Sequence, residues 1–123
     1  MDIQSYIVSV GRAARAAARE LARVESRAKD RALITIAEAI EGNAKQLLEA
    51  NARDVEAARA NGLDAAMVDR LTLNDKRIAA MADGLRQIAQ LPDPVGEITN
   101  LRYRPTGIQV GHMRVPLGWA TST

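Results

Sequence analysis

The sequence contains no cysteine and no phenylalanine. Without a thiol, the chain can form no disulfide, build no thiolate metal site and supply no cysteine nucleophile. Without phenylalanine, its aromatics reduce to Tyr6, Tyr103 and Trp119, so the large single burials that dominate most cores are scarce. His112 is the single histidine. A metal site or an imidazole base needs partners, and no second His or Cys exists to complete one. A surface or interface position on a strand is its simplest reading. No run approaches the roughly 20 apolar residues of a membrane span. The stretch from Met1 to Ser9 lacks the basic start and continuous apolar run of a secretory signal. The glycines are scattered, and neither G-x-G-x-x-G nor G-x-x-x-x-G-K-[ST] occurs. Surplus charge is small as well: 17 basic and 15 acidic residues leave +2, too little to indicate nucleic-acid binding.

What is present is alanine-rich and periodic. The hydrophobic fraction is 47% of 123 residues, but alanine supplies much of it. The interior must be built from Leu, Ile, Val, Met and Ala, which leaves a small domain a thin stability margin.

The spacing predicts about five helices followed by a β-hairpin. In the first helix, Ile3, Ile7, Val10, Ala14, Ala17, Leu21 and Val24 share one face, and Arg12, Arg15, Arg19 and Arg23 share another. Ser26 is the expected N-cap of a second helix, with Asp30 near its positive end and Leu33, Ile34, Ala37 and Ile40 facing inward. Gly42 and Asn43 offer a break and a fresh cap. A third helix follows, with Leu47, Leu48, Ala52, Val55 and Ala58 or Ala57 facing inward, and Asn61-Gly62 is a glycine stop. Asp64 should cap a short fourth helix through Leu71. Thr72 and Asp75 have the spacing of a capping box for a fifth helix carrying Ile78, Met81, Ala82, Leu85, Ile88 and Ala89.

Leu91-Pro92-Asp93-Pro94 ends the helical pattern, because proline cannot continue the ladder and restricts its predecessor. Ile98, Leu101 and Tyr103 then lead into the turn signal Pro105-Thr106-Gly107, and Ile108, Val110, Met113 and Val115 lead out. One hairpin from Glu97 to Val115 is predicted. An isolated hairpin is marginal in water, and alanine faces bury little area. The sequence therefore reads as the flank of a larger fold, with a helical segment at 1–91, a turn and hairpin at 92–118, and a tail at 119–123.

No constellation carries chemistry by itself. The four arginines could meet phosphates, an acidic surface or a partner, and they resemble the basic face of a mitochondrial presequence. A solvated helix face explains them more simply, with Glu20 and Glu25 breaking the field. Asp64 and Asp69 lie five apart and do not share a helix face; capping, and an ion pair between Asp69 and Arg70, explain them better than paired catalytic carboxylates.

An ordered set of short motifs adds a resemblance. Ala50-Asn51-Ala52-Arg53-Asp54-Val55 precedes Ala57-Ala58-Arg59-Ala60-Asn61-Gly62-Leu63. Met67-Val68-Asp69-Arg70-Leu71-Thr72-Leu73 follows, with Arg77-Ile78 behind it. Asp93-Pro94-Val95-Gly96 and Arg114-Val115-Pro116-Leu117-Gly118 come next. In this order and spacing, across about residues 10 to 118, the chain resembles the beginning of gamma-glutamyl phosphate reductase (glutamate-5-semialdehyde dehydrogenase), of the aldehyde dehydrogenase superfamily.

The resemblance implies the N-terminal flank of an aldehyde-dehydrogenase-like α/β fold. It also implies reduction of L-glutamyl 5-phosphate to L-glutamate 5-semialdehyde with NADPH, in proline biosynthesis in the cytoplasm. In the family a cysteine thiolate displaces phosphate to give a thioester, which hydride then reduces. Family members are much longer, and their catalytic cysteine lies downstream of everything matched here. No catalytic, cofactor-binding or metal-binding residue carries over, so no NADPH is expected to bind this chain and the chain alone is expected to be inactive. Trp119-Ala120-Thr121-Ser122-Thr123 departs from the family's next strand, which suggests a truncation, a frame change or an expression boundary. Asn51, Asp54, Asp69 and Arg70 match motif positions and are expected to fix helix ends and helix contacts. The full-length family implies a small-molecule substrate and a homo-oligomer, with no nucleic-acid or membrane partner; in it the N-terminal helices pack around the cofactor-binding domain and a β-hairpin contributes to subunit contacts. The alternative from residues alone is a stand-alone helical module that oligomerises without catalysis, and behind it a nucleic-acid binder using the arginine stripe.

Overall fold

The computed structural model describes residues 2–118. The expected tail at 119–123, with Trp119, lies outside the described residues. Five helices run in order: α1 (Ile3–Leu21), α2 (Ser26–Gly42), α3 (Ala44–Ala60), α4 (Ala65–Leu71) and α5 (Asp75–Gln90). The strands β1 (Ile98–Tyr103) and β2 (Gln109–Met113) follow as an antiparallel pair. This is the mainly α class ending in a hairpin that the periodicities predict. The described residues fall into two compact units, one of residues 27–91 and one of residues 2–26 with 92–118.

The unit of residues 27–91 holds the buried core. Ala37, Val55, Ala58, Val68, Ile78 and Ala82 are buried apolar residues, and Asn51 is the buried polar one. Val55, Ala58 and Val68 form a contiguous cluster, which joins α3 to α4. The predicted inward faces are shallower than their periodicity implies. Of Leu33, Ile34, Ala37 and Ile40, only Ala37 is buried, and Ile34 is exposed. On α3, Val55 and Ala58 point inward while Ala57 and Ala52 are exposed. Met81 and Ile88 on α5 are also exposed. Short helices lined with alanine have no broad sheet or aromatic cluster to lie against, so each seam is covered along only part of its width. One ion pair ties α2 to α5: the Arg86 guanidinium meets the Glu41 carboxylate through both nitrogens, at 2.9 and 2.6 Å. That fork holds the Glu41 carboxyl below the usual glutamate range.

Helix ends follow local chemistry, with several departures from the sequence reading. Asp2 opens α1 by accepting from the Ser5 N–H at 2.7 Å. Asp64 opens α4 as expected, accepting from the Met67 N–H at 2.9 Å. Asn61-Gly62 closes α3 as expected: Gly62 takes φ +76, its N–H donates to the Arg59 carbonyl, and the Leu63 N–H donates to the Ala58 carbonyl. This paired return is the glycine-terminated helix end in which a left-handed residue satisfies the last carbonyls.

The expected capping box is replaced, because Asn74 lies nearer the turn. Asn74 caps α5, accepting from the Arg77 N–H at 2.8 Å, and the Thr72 hydroxyl donates back to the Val68 carbonyl. Asn43 stands at the start of α3, yet its amide donates to the Ala39 carbonyl of the preceding helix and caps nothing. Ser26 is the first residue of α2, and its hydroxyl donates to the Asp93 carboxylate at 2.8 Å.

The other unit has no buried residue among those described. α1 carries its apolar seam in the open, with Ile3 82%, Ile7 60% and Leu21 58% exposed. The hairpin turns at Pro105-Thr106-Gly107, where Gly107 takes φ +85 and its N–H returns to the Arg104 carbonyl, a three-residue hairpin loop with glycine in its left-handed position. In the register, Thr99 faces His112 and Arg102 faces Val110, so Asn100 and Leu101 together oppose Gly111. Asn100 takes φ +54, and the extra residue makes a β-bulge. The spacing of Ile98, Leu101 and Tyr103 calls for it. In strict alternation Ile98 and Leu101 would fall on opposite faces; the bulge brings Leu101 back beside Ile98, with Met113 opposite Ile98.

Candidate functional site

The motif residues of the third to fifth helices assemble around one side chain. Asn51 projects from α3 toward the short connection between α4 and α5. Its amide donates to the Leu71 carbonyl at 2.8 Å, and its carbonyl accepts from the Leu73 N–H at 2.8 Å. A free segment of that length would leave these peptide groups to water; the asparagine, using its donor and its acceptor at once, pairs both. Arg77, in the first turn of α5, grips the same connection from outside. Its guanidinium donates to the Asp69 and Thr72 carbonyls and forks onto the Asp69 carboxylate at 3.1 and 3.2 Å.

The expected pair of Asp69 with Arg70 is therefore not formed. Arg70 is adjacent in sequence and exposed, whereas Arg77 returns to Asp69 from the next helix. Arg70 and Asp54 are exposed, and neither side chain has a hydrogen-bond or ion-pair partner among the described residues. Of the four motif residues, Asn51 and Asp69 make the helix contacts. Arg77 was visible in the motif but had no assigned role in the sequence reading. The signal that finds it is its place three residues after the Asn74 cap, which turns its long side chain back over the connection.

Beside this clasp lies an open hollow of about 540 Å3, lined by Leu48, Asn51, Val55, Arg59, Thr72 and Leu73 among others. Its floor is apolar. Both polar groups of Asn51 are already committed to backbone, so the hollow offers no poised acid, base or nucleophile. It supports packing rather than chemistry.

The other sequence candidates remain apart from it. Arg12, Arg15 and Arg19 line a hollow of about 590 Å3 with Val8, Gly11, Ala18 and Gly118. Arg12, Arg15, Arg19 and Arg23 are all exposed, as a solvated face requires. His112 is exposed on β2, with Asn100 3.5 Å from its Nδ1. It shares a hollow of about 360 Å3 with Arg102 and Arg104. Among the described residues no group of three or more His, Cys, Asp or Glu could hold a metal ion, and no helix is long and apolar enough to cross a membrane.

A dinucleotide does not fit the residues present. Such cofactors seat a pyrophosphate on a helix N-terminus after a glycine-rich strand turn, at the edge of a mostly parallel sheet. Here the described sheet is one antiparallel pair, and the sequence holds no glycine-rich fingerprint.

No protein-family model matches the chain. Solved structures do. The gamma-glutamyl phosphate reductase of Thermotoga maritima aligns with a TM-score of 0.80 and 41% identity, covering 84% of this chain and 25% of that one. The gamma-glutamyl phosphate reductase of Saccharomyces cerevisiae aligns with a TM-score of 0.82 and 28% identity, covering 88% of this chain and 28% of that one. The chain thus spans about a quarter of the length of the reductases it matches. Identity and geometry agree with the motif order, and over that quarter the chain belongs to the gamma-glutamyl phosphate reductase family.

Proposed function

We propose that this chain is the helical flank of an NADPH-dependent reductase converting L-glutamyl 5-phosphate to L-glutamate 5-semialdehyde in proline biosynthesis in the cytoplasm, and that the polypeptide alone is catalytically silent. The observation that carries the reading is the structural match to two reductases over most of this chain and a quarter of theirs. The silence follows from chemistry. Reducing an acyl phosphate by the covalent route needs a nucleophile that displaces phosphate and a seat for the hydride donor. The chain has no thiol, and among the described residues the polar contact of its one imidazole is an asparagine amide rather than an acid. The residues that match the family's motifs hold backbone instead: Asn51 and Arg77 fix the entry to α5. Their contribution to the enzyme is a rigid flank.

The test is an assay of the purified 123-residue chain with NADPH and the acyl phosphate, and in reverse with the semialdehyde, NADP and phosphate. No turnover above the uncatalysed rate is expected. Robust turnover by this polypeptide overturns the proposal.

A further inference from the structure

The bulge in the hairpin sorts charge as well as apolar surface. In strict alternation from Ile98, Arg102 and Arg104 would share the apolar side. The register puts them on the other one. Arg102 faces Val110 and Thr99 faces His112, and Val110 and His112 lie two apart on β2, so these side chains share a face. Asn100, Arg102, Arg104 and His112 line one open hollow of about 360 Å3 there. The extra residue that turns the arginines to this side is Asn100, held at φ +54. Bulges re-aim side chains beside functional sites, and left-handed non-glycine residues gather at ligand clamps. Arg102 and Arg104 are exposed, and neither guanidinium has a hydrogen-bond or ion-pair partner among the described residues. Between residues 97 and 114 the single acid is Glu97, and it meets Arg114 instead, at 3.8 Å.

We infer that this basic face is an oxyanion site that takes a phosphate group, either the free ion or that of a small phosphomonoester. Positions two apart along a strand stand about 7 Å apart, so the two guanidinia can close on one tetrahedral anion from two sides. Each presents a fixed fork of N–H donors that matches phosphate oxygens, and such charge-assisted bonds are roughly twice as strong as neutral ones. Asn100 and His112 add neutral donors. The Asn100 amide nitrogen lies 3.5 Å from His112 Nδ1. That nitrogen only donates, so Nδ1 accepts and the ring proton sits on Nε2. One amide N–H and the Nε2–H are then left for a ligand. A carboxylate offers its oxygens in one plane, whereas phosphate offers them around a tetrahedron, which suits donors supplied by both strands. A long nucleic-acid track does not fit, because Val110 interrupts the basic face and the Glu97–Arg114 pair bounds it. The inference stands on the hairpin's own residues and does not rest on the proposed function.

The experiment titrates inorganic phosphate into the nitrogen-15-labelled chain at fixed pH, with chloride at matched ionic strength as the control. Expected are saturable shifts in the amides of Asn100, Arg102, Val110 and His112 and in the Nε–H signals of Arg102 and Arg104, while the amides of α3 and α5 hold still. Arg102→Gln and Arg104→Gln should each weaken binding by about tenfold, the effect of losing one hydrogen bond to a charged group. Arg53→Gln removes the same charge from α3 and should leave binding unchanged. Both hairpin variants alter exposed side chains, so the spectrum of the free hairpin should persist. Asn100→Gly covers the case in which it does not: glycine takes a positive φ without strain, and loss of the amide should weaken binding several-fold. A parallel titration with glycerol 3-phosphate separates the two sources, the tighter ligand naming the one preferred. A response that chloride reproduces overturns the inference. So does phosphate binding indifferent to Arg102→Gln, Arg104→Gln and Asn100→Gly. Duplex DNA that binds far more tightly than either phosphate, with a steep loss as salt rises, also overturns it. The readout is binding without turnover, so its failure is separate from failure of the proposed function.

Discussion

At the residue scale, Asn51 is the side chain on which the helical unit most depends. It is buried, and it pairs an N–H and a carbonyl of the α4–α5 connection that have no helix partner. Truncation to alanine removes both bonds and strands Leu73 N–H and Leu71 C=O. An unpaired buried group costs about 1–3 kcal/mol. Partial access to water brings the expected loss for Asn51→Ala to about 2–3 kcal/mol by urea unfolding. Asn51→Asp is the sharper variant: a carboxylate still accepts from Leu73 but faces the Leu71 carbonyl with like charge, so it should be no more stable than the alanine form. Wild-type stability in Asn51→Asp would show the donor arm to be idle.

The Arg86–Glu41 fork makes a pH prediction at the same scale. Arg86 lowers the Glu41 carboxyl chiefly by hydrogen bonding; desolvation opposes it, and the Arg86 charge adds a smaller lowering. A depressed folded value means the contribution is complete above the ordinary glutamate value of about 4.3 and is lost as pH falls through the folded value. Glu41→Gln should therefore lower the urea midpoint modestly at neutral pH, since the pair is partly exposed. The difference should shrink as pH falls below the ordinary glutamate range, and a gap that widens in acid would contradict the assignment.

At the element scale, the order of five helices and a hairpin was legible because period and punctuation agree: apolar residues recur at three and four, Asn61-Gly62 and Pro92 stop helices, and Pro105-Thr106-Gly107 turns the ribbon. What failed was competition among polar side chains at helix ends. Ser26, Asn43 and Thr72 each have cap chemistry, yet each finds another partner: Asp93 for Ser26, the Ala39 carbonyl for Asn43 and the Val68 carbonyl for Thr72. Sequence spacing alone does not rank such partners. Neither does it show how far a face is covered, which is why periodic Ile34, Met81 and Ile88 stayed exposed. Site residues were partly legible: Asn51 and Asp69 were marked by motif, but the Arg77 grip needs the chain reversal at residues 72–74.

Two predictions belong at this scale. Asn74→Ala should cost about 0.5–2 kcal/mol as a lost N-cap, read from the thermal midpoint, whereas Asp75→Asn should cost less because Asn74 makes the cap bond. In the hairpin, Gly111→Val places a branched side chain against Leu101 and the Thr99 carbonyl, which stand 2.9 and 3.2 Å from an ideal Cβ position. The ribbon should then splay, with the amide shifts of residues 98–113 collapsing toward random coil while those of α3 to α5 hold still.

At the scale of the whole molecule, burial is divided between the two units, and dynamics should divide with it. Local opening is governed by how much apolar area and how many protected hydrogen bonds an element holds. The unit of residues 27–91 contains every buried side chain among those described; the other contains none. Amides in the middle of α3 and α5 should therefore exchange slowest, and those of α1 and the hairpin should exchange orders of magnitude faster. Trypsin provides the complementary reading, because potential sites lie in both units. Where opening is fast relative to cleavage, proteolysis follows the population of the open form. Cleavage after Arg12, Arg15, Arg19 and Arg23, and after Arg102 and Arg114, should precede cleavage after Arg53 and Arg59 of α3, leaving a transient fragment close to residues 27–91. Equal protection of both units in the isolated chain would mean that α1 and the ribbon already lie against a core of their own.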